Sequence, residues 1–267
     1  MKLLNQLFSL EEKRILITGA AGGIGRKVAE TYAELGAVVL LCDRDSQSLE
    51  EVSEHLKQYW PACMVECYEC DLECENSRLS LFERVCSTDQ SLHAIVHCAG
   101  FVGTTNLSGW VDDFEKQSLD TWRRAFEVNL TSAFHLSQLF SKPLTRSNGS
   151  IILFSSIYGE LGPDYSLYEN TSMGNPAAYA ASKGGLIQLA RWLATTMAPN
   201  VRVNCVSPGG VFRNQAESFV EKYECKTPLQ RMAVEDDFKG IVALLASDAG
   251  SYITGQNIMV DGGWSIW

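Results

Sequence analysis

Thr18-Gly19-Ala20-Ala21-Gly22-Gly23-Ile24-Gly25 is the stretch on which the reading of this chain turns. It follows a short apolar run, Arg14-Ile15-Leu16-Ile17-Thr18, and precedes a helical stretch from about Gly25 to Leu35. Strand, glycine turn and helix in that order are the context a dinucleotide cradle requires. Gly19 permits a tight turn, Gly23 lets the backbone approach a pyrophosphate, and Gly25 lets the helix pack closely. The helix N-terminus then presents free N–H groups to the anion. The plain alternative is a loop that merely reverses the chain.

Outward from this turn, strand-like and helical runs alternate. Ala37–Cys42 reads as a second buried strand, followed by a polar helix around Ser46–Tyr59. A third strand is expected to end at Asp71. Further strands are expected at Leu92–His97, Ser150–Phe154 and Val201–Val206, with Ile258–Val260 near the end. Long helical runs cover Trp122–Phe140 and Ala177–Met197. Continuous apolar strands alternating with helices imply a parallel sheet covered on both faces. No internal repeat, linker or low-complexity tract interrupts the pattern. The expectation is one α/β domain over residues 1–267, a doubly wound parallel sheet of Rossmann type.

Bulk properties agree. The 267 residues are 46% hydrophobic, enough for one sizeable core without disulfides or metal. The formal net charge of −10 argues against nucleic acid, whose phosphates need Lys and Arg. No apolar run approaches the roughly 20 residues that cross a bilayer. The first ten residues lack a long apolar core and a small-residue cleavage site, so a cytoplasmic protein is expected. Nine cysteines without export signals read as free thiols. Cys63-x3-Cys67-x2-Cys70 has iron–sulfur spacing, but a strand would send Cys67 and Cys70 to opposite faces. No metal site is expected.

Asp43 ends the second strand, about twenty residues past the glycines, where a carboxylate accepts the adenosine ribose hydroxyls. Its charge repels a 2′-phosphate and favours NAD over NADP. The adjacent Arg44 argues the other way. The alternative role for Asp43 is a cap for the following helix. Downstream, Tyr179 and Lys183 stand four apart on a helix and share a face.

At this point the chain resembles the short-chain dehydrogenase/reductase family. The residues carrying the resemblance are Thr18-Gly-x3-Gly-Ile-Gly25, Asp71-Leu72, Cys98-Ala99-Gly100, Asn129-Leu130, Ser155-Ser156, Tyr179-x3-Lys183, Pro208-Gly209 and Asp261-Gly262-Gly263. The resemblance implies a seven-stranded parallel sheet and a homodimer or homotetramer built through long helices. Cofactor contacts implied by it are Gly19, Gly23, Ile24, Gly25, Asp43, Arg44, Asp71 and Leu72 beside adenosine and phosphates. Ala99, Gly100, Pro208, Gly209 and Val211 follow toward the nicotinamide, with Tyr179 and Lys183 at its ribose. Catalytic roles implied by it fall on Asn129, Ser156, Tyr179 and Lys183. Ser156 would hold the substrate oxygen near Tyr179, and Asn129 would help order a water chain to Lys183. A free tyrosine titrates near pH 10. The Lys183 ammonium is expected to favour the phenolate, so that Tyr179 serves as general base or acid.

Two positions depart from the family pattern. Cys98 stands where Asn is frequent, which removes one strand-stabilising hydrogen bond. Arg213 stands where Thr is common, and could meet a phosphate on cofactor or substrate, or be a solvated lid charge. The stretch between Ser156 and Tyr179 is longer than the family's usual dozen or so. Its insertion near 158–173, rich in Tyr, Asp, Glu and Asn, suggests a polyhydroxyl substrate such as a sugar or sugar phosphate. An oligomer contact is the alternative. Ser156, Tyr158, Tyr179 and Arg213 are the expected substrate contacts. A lid is expected near 212–227, and Trp264 and Trp267 are expected at an interface. The expected activity interconverts a secondary alcohol and a ketone with NAD(H). A sugar epimerase or dehydratase with retained cofactor, and a non-catalytic dinucleotide-binding module, are the alternatives.

Overall fold

The apolar runs become strands because each has two hydrophobic faces to bury. A computed structural model describes residues 2–87, 91–102 and 107–267. Its strands are β1 (Arg14–Thr18), β2 (Val38–Asp43), β3 (Val65–Glu69), β4 (Ala94–His97), β5 (Ser150–Phe154), β6 (Arg202–Pro208) and β7 (Asn257–Val260). All pair in parallel, in the order β3-β2-β1-β4-β5-β6-β7. Alternate residues of one strand feed different cores. Ile15 and Ile17 of β1 join one cluster with Val39 and Leu41, while Leu16 joins another with Leu40 and Leu153.

Helices supply the opposing surface. A short α1 (Leu4–Phe8) precedes β1. One face carries α2 (Gly23–Glu34), α3 (Ser46–Tyr59) and, later, α10 (Lys239–Ala246). The other carries α4 (Glu75–Val85), α5 (Leu119–Phe126), α6 (Ser132–Leu139) and α8 (Ala177–Met197). Between them α7 (Ser141–Ser147) leads into β5, and α9 (Glu217–Lys226) follows β6. Among the described residues no helix is long and apolar enough to cross a membrane.

The strand order reverses between β1 and β4, which opens a crevice at their carboxyl ends. Thr18-Gly19 and Cys98-Ala99-Gly100 meet there. Gly19 has φ +66°, and a Cβ on it would lie 2.6 Å from the Ala99 nitrogen. No side chain fits between the two strand ends.

Two local expectations differ from the structure. The third strand stops at Glu69, not Asp71. Cys70 still donates to the Asp43 carbonyl at 2.8 Å, but Glu73 and Cys74 then donate to Asp71 and turn the chain. Cys67 is exposed and Cys70 buried, so the two thiols lie apart. The long run Trp122–Phe140 is not one regular helix. A π-helical turn at Glu127–Thr131 separates α5 from α6. Such widened turns frequently mark functional sites.

Gly25 packs α2 onto the turn, where a Cβ would fall 2.0 Å from the Gly19 carbonyl oxygen. Gly25→Ala should therefore lower stability by about 1–3 kcal/mol. Thermal unfolding reads this directly, and an unchanged midpoint would mean that the turn gives way freely.

Candidate active site

Helix α8 is rich in Ala and Gly, so it lies close to the sheet and turns its polar residues inward. Ser182 and Lys183 are buried, and Tyr179 is partly exposed one turn earlier. Lys183 Nζ donates to the carbonyl of Phe154 at the end of β5, at 2.8 Å. The hydroxyl of Ser155, the next residue, donates back to the Lys183 carbonyl at 2.8 Å. These reciprocal bonds lock α8 to β5 and set Ser156 opposite Tyr179. Ser156 stands close to the Tyr179 phenol. The ammonium lies 5.7 Å from the centre of the Tyr179 ring.

The electrostatics differ from the expectation. Burial raises the Tyr179 phenol above its ordinary value; the Ser156 hydrogen bond and the charge of Arg213 act against that rise. Burial pushes the Lys183 ammonium down to about 8. An apolar enclosure disfavours the charged form of both groups.

Asn129 enters from the π-helical turn. Its Nδ2 donates to Ser182 Oγ at 2.9 Å, and its Oδ1 accepts from the Phe101 nitrogen at 2.5 Å. It thus ties the turn after β4 to α8. Gly100 completes the cluster, since a Cβ there would stand 3.5 Å from Lys183 Nζ.

At the glycine turn, Asp43 Oδ2 accepts from the Ala21 nitrogen at 3.1 Å and Oδ1 from the Arg44 nitrogen at 2.8 Å. Asp43 is not the cap of α3. That role belongs to Asp45, which accepts from the Ser48 nitrogen at 3.1 Å. Arg44 is exposed, as is Asp71, while Leu72 is buried. Ile24 packs against the core under the turn. Gly22 leaves the first turn of α2 without a side-chain cap, so its N–H groups remain available to an anion. These features fit a dinucleotide phosphate. A Cβ on Gly23 would fall 2.6 Å from Glu235 Oε1 and 2.8 Å from Arg213 Nη2. Arg213 and Glu235 form an ion pair at 3.3 Å.

After β6, Pro208 is buried, and the chain passes Gly209 to Val211, which bridges to Ala233. The Gly210 nitrogen donates to the Tyr223 hydroxyl at 2.6 Å. Tyr223 stacks on Trp264 with ring centres 5.8 Å apart. Trp264 is therefore buried within its own chain rather than left for an interface, whereas Trp267 is exposed. The insertion and the lid are joined. Lys222 donates to the Ser166 carbonyl and pairs with Glu169, Lys226 pairs with Asp164, and Tyr168 packs on Phe219. The Tyr158 hydroxyl is engaged by that of Tyr168 at 2.6 Å.

Sequence reasoning missed His97. It is fully buried at the end of β4, with Nδ1 2.9 Å from Thr18 Oγ1 and Nε2 3.5 Å from Ser132 Oγ. It links the ends of β1 and β4. The available signal was a histidine closing an otherwise apolar run. Asn175 was missed as well. It is 7% exposed, immediately ahead of α8, and among the described residues neither amide atom has a partner.

Comparison with known proteins follows the same lines. A family model described as enoyl-(acyl carrier protein) reductase matches residues 19–265. A tropinone reductase homologue of Arabidopsis thaliana is 35% identical over 97% of this chain and 93% of its own length. The ribulose-forming D-arabinitol 2-dehydrogenase of Candida albicans is 31% identical over 97% of this chain and 95% of its own. The structure of a short-chain dehydrogenase from Leptospira borgpetersenii with bound NAD+ superposes with a TM-score of 0.85. It is 32% identical, over 99% of this chain and 97% of the other.

This chain belongs to the short-chain dehydrogenase/reductase family. As a member it is an NAD(P)-dependent oxidoreductase that acts on CH–OH groups. Its Ser156, Tyr179 and Lys183 meet at the carboxyl edge of the sheet, beside the glycine turn.

His97 carries a pH signature. Burial pushes its imidazole down to about 3, so the folded protein keeps it neutral. The unfolded chain takes up a proton near pH 6.5. Stability is therefore full above that value and falls as pH drops toward 3, by at most about 1.4 kcal/mol per pH unit. Thermal midpoints of wild type and His97→Asn between pH 7 and 4 should diverge in slope. Parallel profiles would sink this account.

Proposed function

We propose that this protein interconverts a secondary alcohol and a ketone on a polar, polyhydroxylated substrate, using NAD(H). The observation that carries the chemistry is the buried Lys183 ammonium, 5.7 Å from the centre of the Tyr179 ring and fixed to the end of β5 beside Ser156. The dinucleotide supplies the two-electron step, taking a hydride from the carbinol carbon or returning it. In oxidation, Ser156 holds the substrate oxygen and Tyr179, as phenolate, takes the hydroxyl proton while the C=O bond forms. In reduction, Tyr179 gives the proton back. Lys183 would hold the nicotinamide ribose, with Asn129 steadying the π-helical turn behind it. Gly19, Gly23, Ile24 and Gly25 would seat the pyrophosphate, Leu72 would lie beside the adenine, and Val211 would meet the carboxamide.

Two observations support the finer assignments. The Asp43 carboxylate is fixed at the glycine turn by the Ala21 nitrogen, where a 2′-phosphate would be repelled. The Asn175 amide, whose two polar atoms have no partner among the described residues, offers a donor and an acceptor next to the helix that carries Tyr179. A buried amide without partners costs free energy that a hydroxylated ligand returns. The sugar-alcohol dehydrogenase among the relatives agrees with this class. Trp122, Phe134 and Trp192 expose apolar faces on α5, α6 and α8, which suits a cytoplasmic homodimer or homotetramer.

Fluorescence titration with NADH and NADPH tests the cofactor assignment. NADH should bind more tightly, and the reverse order would remove Asp43 as selector. Tyr179→Phe should lower kcat by about 10²–10⁴-fold with NADH affinity unchanged; near-normal turnover would end its role. In a screen of sugars, sugar phosphates and polyols, Asn175→Ala should raise KM more than it lowers kcat. An unchanged KM would place the substrate elsewhere.

A further inference from the structure

Three acids, Glu235-Asp236-Asp237, open a short 3-10 segment ahead of α10. Each meets a base from elsewhere. Asp237 grips Arg231 through two bonds of 2.7 Å. Asp236 reaches Lys27 on α2 at 3.2 Å. These contacts fasten the segment to its surroundings, and the first of the three acids does something different.

Glu235 points at the N-terminus of α2. Its Oε1 occupies the space over Gly23, within 2.6 Å of where a Cβ would stand. That end of the helix attracts anions. The carboxylate therefore crowds the flank of the seat that the sequence assigns to a phosphate, although among the described residues no N–H of α2 donates to it. Arg213 reaches the same space, and its Nε pairs with Glu235 Oε1 at 3.3 Å. The backbones carrying both side chains are tied together. Phe212 donates to the Ala233 carbonyl at 2.8 Å, and Ala233 donates to that of Gly210 at 2.9 Å. The Arg213 side chain is 53% exposed, against 27% for Glu235. It can exchange partners by rotation alone.

We infer that the Arg213–Glu235 ion pair is a latch on the dinucleotide seat. Before the cofactor binds, Glu235 stands over Gly23 at the α2 N-terminus, paired with Arg213. On binding, a cofactor phosphate takes that place, Glu235 turns away, and Arg213 passes from the carboxylate to the phosphate. This rests on the glycine turn being the dinucleotide seat. A carboxylate and a pyrophosphate cannot share one positive pole, so the affinity for phosphate-bearing ligands is reduced by the work of opening the pair. Arg213 keeps an anionic partner in both states, and its loop carries α9 and the lid. The latch thereby connects phosphate binding to the position of the lid. Adenosine, which has no phosphate, is blind to it.

The test is binding, with three ligands and three proteins. NADH is followed by fluorescence, and ADP and adenosine by calorimetry, on wild type, Glu235→Gln and Arg213→Ala. Glu235→Gln should bind NADH and ADP about three- to fivefold more tightly, the range of one partly exposed charge interaction. That gain should shrink at high salt. Arg213→Ala should bind both more weakly, and adenosine should bind all three proteins alike. Unchanged or weaker NADH and ADP binding by Glu235→Gln overturns the latch, as does Arg213→Ala that matches wild type. Adenosine affinities that shift in step with ADP overturn it too, because the pocket rather than the charge has changed. Wild type that binds neither NADH nor NADPH overturns the dinucleotide seat itself. Failure of the latch alone is distinct, since wild type then binds NADH and the variants do not differ.

Discussion

Two strand ends, those of β1 and β4, must approach each other while their connections leave in opposite directions. That constraint organises the molecule. A parallel sheet buried on both faces requires helices on both sides, so the chain must divide somewhere between them. The division falls where Gly19 meets Ala99 with no room for a side chain. His97, held between Thr18 and Ser132, fastens the same junction from beneath. The crevice above it receives the glycine turn from one side and Gly100, Asn129 and Lys183 from the other.

Burial sets the resting protonation of this crevice. The phenol of Tyr179 is raised, and the ammonium of Lys183 and the imidazole of His97 are lowered, each because an apolar enclosure disfavours charge. Hydrogen bonds decide how far each group gives way. Lys183 has a backbone carbonyl and remains useful as a cation near neutrality. Tyr179 has the Ser156 hydroxyl and the field of Arg213, which keep ionisation within reach. His97 meets the hydroxyls of Thr18 and Ser132 and the Val128 backbone, and burial together with the Lys183 charge keeps it neutral.

The segments around the mouth of the crevice form one unit. The insertion after Ser156 leans on α9 through Tyr168 and Phe219 and through two lysines, and α9 leans on Trp264 through Tyr223. Tyr158 spends its hydroxyl on Tyr168. The insertion is thereby a wall against which α9 packs. A change in the lid is felt at Gly210, whose nitrogen donates to Tyr223.

Much of this was legible in the sequence because it is local. Apolar runs such as Ile15-Leu16-Ile17 announce strands buried on both sides. The glycine turn announces its own geometry, and the spacing of Tyr179 and Lys183 places them on one helical face. Other features have no local period to announce them. The π-helical turn at Asn129 arises where α5 and α6 are fitted against α8, so the run Trp122–Phe140 reads as unbroken. His97 joins Thr18 and Ser132, neither of which is its neighbour in the chain. The cap left open as the alternative role of Asp43 belongs to Asp45, whose carboxylate reaches the Ser48 nitrogen once the backbone has turned. Glu235 and Arg213 meet over Gly23 only because the chain after β6 bridges back at Ala233. The sequence by itself determined the order of the strands, the glycine turn and the shared helical face of Tyr179 and Lys183, since propensity and periodicity act between near neighbours. Tertiary structure alone decided which buried polar groups satisfy one another and which charges share a seat, because those pairings depend on distances that only the packed sheet creates.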